Sequence, residues 1–117
     1  MFADDAVFGQ VQTTDATVTT LALYTPPDGG VATVRVVVSA RRSTGAEAAG
    51  YERVATVRRA GGTTTLVGAV TSVHSAEDVA GWDATIDVSG ADVRVRVTGV
   101  AAVTIDWRCA GSAKLSP

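Results

Sequence analysis

The chain has 117 residues, 46% of them apolar, with ten basic against twelve acidic side chains and a formal charge of −2. That length predicts one domain burying about two-thirds of its unfolded surface, and that charge excludes the broad basic field of a nucleic-acid binder. A single cysteine, Cys109, excludes an internal disulfide and a multi-cysteine zinc site.

Residues 1–12, MFADDAVFGQVQ, follow no regular alternation. They read as an arm that docks, on its own chain or on a neighbour equally, with Phe2, Val7, Phe8 and Val11 as its contact side chains. Covering each phenylalanine would gain about 1.5–3 kcal/mol. The segment lacks the basic stretch and apolar run of a secretory leader, and no stretch of the chain is long and apolar enough to span a bilayer. We therefore expect a soluble chain made in the cytoplasm.

Residues 13–117 read as the β-domain. Valine, alanine and threonine dominate its composition, and Cβ branching suits a pleated surface better than a helix. The first strand is 17–24, TVTTLALY, closed by the turn PPDGG at 26–30. The second is 31–42, with Val34, Val36 and Val38 on one face and Arg35, Val37 and Ser39 on the other. A loop of small residues, 43–50, leads to a third strand at 51–59, where Val54 and Val57 break alternation and predict a bulge. AGG at 60–62 is a hairpin turn into 63–74, with Gly68 marking a bend.

Residues 75–82, SAEDVAGW, predict a short helical turn capped by Ser75. Three strands complete the chain: 83–89, 92–98 and 103–109. Val93, Val95 and Val97 alternate with Arg94 and Arg96, the pattern of a half-buried antiparallel strand. About seven strands at this spacing predict an all-β fold, a single-domain antiparallel β-sandwich or jelly roll.

Few residues suggest chemistry. His74 is the only histidine, with Ser72, Ser75, Glu77 and Asp78 near it in sequence, but no nucleophile-elbow motif accompanies it. Asp83, Asp87, Asp92 and Asp106 could supply paired acids, yet they fall at outward or turn positions. Asp4, Asp5 and the Glu77–Asp78 pair lack calcium-loop spacing. Arg41–Arg42 and Arg58–Arg59 would form one basic patch if their strands pair, although edge protection or a subunit salt bridge explains them as well. Trp82 and Trp107 are expected to cap the core, and Cys109 to fill it. We expect no enzyme activity, no cofactor and no metal.

The motifs that remain are turns and core positions. They are Thr13–Thr17 (TTDAT), Ala40–Arg42, Tyr51, Gly61–Thr63, Trp82–Asp83, Val95–Gly99 (VRVTG) and Ile105–Trp107 (IDW). From about residue 13 to 109 this series resembles a β-rich module of structural proteins in tailed-bacteriophage virions. The apolar Val100–Val103 departs from the small residues usual there, as a contact surface or a packed turn. The resemblance implies a virion location, with the major capsid protein or other virion proteins as partners, and neither nucleic acid nor membrane. A module standing alone behind a short arm implies a capsid decoration (cement) protein, a homotrimer on the outer head surface that stabilises the shell. The alternative is a tail- or fibre-associated structural or receptor (carbohydrate)-binding module.

Overall fold

The computed structural model describes residues 5–116. Nine strands run through them: β1 (Asp5–Thr13), β2 (Thr19–Tyr24), β3 (Val31–Arg42), β4 (Ala48–Ala60), β5 (Thr63–Leu66), β6 (Thr71–Glu77), β7 (Asp83–Ser89), β8 (Asp92–Thr98) and β9 (Ile105–Ser116). The large sheet has the order β1-β9-β3-β4-β5, with β6 also pairing β4, and the small sheet has the order β2-β8-β7. Every ladder is antiparallel. The protein is a single-domain β-sandwich, as its composition predicts.

Period-two alternation builds the core. Ala32, Val34, Val36, Val38 and Ala40 of β3 point inward, and Arg35, Val37, Ser39 and Arg41 point out. Val93, Val95 and Val97 of β8 meet them from the small sheet, with Ile105, Trp107 and Cys109 of β9 alongside. Strands β3, β7 and β8 have the predicted bounds. The two tryptophans lie in the core with ring centroids 6.1 Å apart, and Tyr51 stacks on Trp107 at 6.5 Å.

Three local expectations are corrected. No bulge interrupts the β3–β4 ladder between Val54 and Val57, because the inward phase of β4 runs Ala49, Tyr51, Arg53, Ala55, Val57 and leaves Val54 outside. The irregularity lies on the other side of β4, where Glu52 pairs His74 and Arg53 pairs Ser72, leaving Val73 as the extra residue. The predicted strand 63–74 is broken at Gly68 (φ 77°) into β5 and β6, both laid along β4. The predicted helical turn at 75–82 is absent: Ser75–Glu77 continue β6, and Asp78 prolongs the pairing with β4 by donating its N–H to the Ala48 carbonyl.

Val100–Val103 forms a turn in which Val103 N–H donates to the Val100 carbonyl, with Ala102 at φ 63°. Of the segment read as an arm, residues 5–12 lie on their own chain as part of β1, paired with β9, and the others lie outside the described residues.

Strands β9 and β3 lie close at Gly111, which is paired with Val36. A methyl there would strike the Arg35 carbonyl oxygen and lie 2.8 Å from Val36 Cα. Gly111→Ala should therefore lower stability by about 1–3 kcal/mol. An unchanged urea midpoint would contradict that close approach.

Candidate interaction face

Among the described residues, Thr13, Arg53 and Thr64 are the buried polar side chains, and Arg53 gathers the largest set of partners. Arg53 points inward from β4, where Nε donates to the Ala84 carbonyl on β7 at 2.8 Å. Its NH1 donates to the carbonyls of His74 (2.6 Å) and Glu52 (3.1 Å), and NH2 donates to Ser75 Oγ (2.9 Å). NH2 also lies 3.6 Å from Asp83, and the guanidinium sits 5.0 Å from the centre of the Tyr51 ring. Tyr51 donates its hydroxyl to Glu77, and Trp107 Nε1 donates to Thr13. Most of these bonds fix one strand against another, whereas the buried indole N–H of Trp82 has no hydrogen-bond partner.

The predicted catalytic candidates are dispersed among such structural roles. His74 is exposed on β6 and contributes its carbonyl, while Ser75 accepts from Arg53. Asp87 takes a two-pronged contact from Arg94 at 2.7 and 2.8 Å, Asp92 accepts from Thr25, and Asp106 accepts from Gln12. Asp5 accepts from the Tyr24 hydroxyl, and Asp78 accepts from the Ala48 N–H. Asp4 lies outside the described residues, and no three metal-ligating side chains cluster among those described.

The two arginine pairs do not form one patch. Their strands do pair, but the antiparallel register sets Arg41 beside Ala48 and Arg58 beside Val31, at opposite ends of the hairpin. Arg59 is occupied there by the Pro26 carbonyl at 2.9 Å.

Of the predicted contact residues, Phe2 lies outside the described residues. Val7 is buried in the core and offers no surface to a partner, and Val11 is half-buried against that core. Phe8 is 73% exposed on the outer face of the large sheet. Register places it in a row, Phe8–Ala110–Val37, across β1, β9 and β3. Val37 is 50% exposed and Ala110 is exposed too, so three apolar side chains stand together in solvent.

The neighbouring rows are polar and low in relief: Gln10–Arg108–Ser39 and Gln12–Asp106–Arg41 on one side, Ala6–Ser112–Arg35 on the other. Side-chain bonds link Gln10 to Arg108 (2.9 Å) and Gln12 to Asp106 (2.8 Å) beside a recess of about 440 Å³. Phe8 is read from the sequence as a contact residue, whereas Val37 and Ala110 beside it are not, because their adjacency depends on strand register.

No protein-family model and no curated protein sequence matches the chain. Solved structures do. The tailspike protein of Acinetobacter phage vB_ApiP_P1 is similar with a TM-score of 0.57 at 17% identity, over 93% of this chain and 22% of that one. The tailspike protein of Acinetobacter baumannii phage AM24 gives 0.51 at 9% identity, over 93% of this chain and 26% of that one. The chain therefore spans about a quarter of either tailspike's length. At these identities the likeness is one of fold, and at that level it supports the resemblance to β-rich modules of phage virion structural proteins.

Burial, followed by the bonds to Asp5 and Glu77, raises the phenol pKa values of Tyr24 and Tyr51. Burial likewise raises that of the Cys109 thiol. The folded chain therefore holds protons that the unfolded chain releases. Stability should fall as pH climbs through the ordinary values of 9.0 for the thiol and 10.0 for the phenols. Urea midpoints that stay level to about pH 11 would refute this. Arg53→Met keeps the aliphatic stem but strips the Ala84 and His74 carbonyls of their donors. It should cost about 3 kcal/mol at neutral pH, read by the same titration.

Proposed function

We propose that the chain is a tail-associated structural module of a tailed-bacteriophage virion, non-catalytic, which works through the outer face of its large sheet. The carrying observation is the fold comparison: 93% of this chain aligns with a part of each of two phage tailspikes, at TM-scores of 0.57 and 0.51. That supports the tail reading over head decoration, for which the sequence resemblance alone speaks.

The disposition of polar groups is in keeping with a structural role. Arg53, Tyr51, Asp78 and Asp87 each hold strands in place. A packing role is preferred to sugar recognition for a related reason. Tyr24, Tyr51, Trp82 and Trp107 are all buried, which leaves Phe8 as the exposed ring among the described residues.

Gold-labelled antibody raised against the chain should bind at the tail of the particles that carry it. Label spread over the head would return the protein to capsid decoration. Particles that carry the chain nowhere would remove it from the virion altogether.

A further inference from the structure

We infer that the outer face of the large sheet packs against the same face of a second copy, in an isologous dimer. This rests on the reading of that face as the contact surface, and not on where in a virion the chain sits.

Area, apolar character and charge point to this occupant. Strands β3 and β9 have twelve residues each. With the nine residues of β1 and the thirteen of β4, at about 3.3 Å per residue and 4.8 Å between strands, the four strands present roughly 730 Å². A stable interface of standard size buries about 800 Å² on each partner. The outer face of the small sheet is a poorer candidate, because Arg94 and Arg96 there are held by Asp87 and Thr20 and Leu23 stands alone among them.

A two-fold axis along the strands, between β9 and β3, would lay β9 of one copy over β3 of the other and β1 over β4. Stacked sheets keep their strands within about 30° of each other, so neighbours near the axis follow from the ladder register. Val37 and Ala110 are paired across β3 and β9, as are Arg41 and Asp106. The two-fold therefore sets Ala110 on the partner's Val37, and Asp106 opposite the partner's Arg41, each contact occurring twice. Phe8, standing on β1, lies over the partner's β4 at Glu52, the residue that pairs Val37, whose carboxylate is already held by Arg35, with Gly50 beside it. A face that carries both members of each pair is complementary to itself.

Sedimentation equilibrium of the 117-residue chain should give a dimer, and Phe8→Ser should give a monomer with unchanged circular dichroism. Arg41→Asp alone and Asp106→Arg alone should each weaken self-association about tenfold or more, since like charges then oppose twice. Mixing those two variants should restore dimerisation as a heterodimer visible by native mass spectrometry. Repair within one chain cannot mimic that result.

Wild type that stays monomeric to about 100 µM, or that forms a trimer, overturns the proposal. So does a mixture no more associated than its components. If wild type is monomeric while Phe8→Ser abolishes incorporation into virions, the face contacts another virion protein; the dimer falls and the structural function stands.

Discussion

Arg53 carries a charge into a core otherwise lined by valine, alanine and aromatic rings, and with Thr64, which donates to the Ala91 carbonyl, it ties the large sheet to the small one away from the β1–β2 corner. Backbone ladders join β4 to β6, but β7 belongs to the other sheet, and the bond from Arg53 Nε to the Ala84 carbonyl crosses that gap. The guanidinium has five donors in a fixed plane. Carbonyls on β4, β6 and β7 and the Ser75 hydroxyl take them up, with Asp83 at the solvent edge. A buried charge so supplied stabilises by specificity of placement more than by Coulomb energy. Lysine, a point charge on a flexible stem, could not satisfy four directions at once.

That arrangement also explains where sequence reasoning succeeded and failed. Strands β3, β7 and β8 were legible because their inward positions hold apolar residues and their outward ones mostly polar residues. β4 was misread because an arginine occupies an inward position and Val54 an outward one, which from sequence resembles a bulge. β1 inverts the rule more fully, since Phe8 points to solvent while Gly9 points inward. Glycine is required there: a methyl would collide with the Leu21 carbonyl of β2. The strand that closes the corner between the sheets therefore looks patternless in the sequence.

The proposed interaction face was half legible. Phe8 stood out as an aromatic in an irregular segment, whereas Val37 looked like one more valine in a valine-rich strand. Both become meaningful through the β1–β9–β3 register, which brings together residues about thirty and seventy positions apart. The same register dissolved the expected basic patch, since antiparallel pairing sends the two arginine pairs to opposite ends. Composition and alternation give the elements; which outward residues become neighbours is decided by pairing partners that no local pattern encodes.

The separation of faces accounts for a fold shared at 9% and 17% identity with parts of two much longer chains, 26% and 22% of their lengths, while no family model matches. Inward positions need only residues of suitable volume, and exchanges among valine, alanine and isoleucine are tolerated where total volume is kept. Outward positions carry little of the folding energy, so they vary without disturbing the sandwich. Strand order and sheet stacking thus persist when most residues have changed. Here the outer face of the large sheet carries a solvent-exposed apolar row among rows that hold Arg35, Arg108, Asp106 and Arg41. Phe8, 73% exposed, adds nothing to the core, so its ring is available for a contact of the kind proposed for this face.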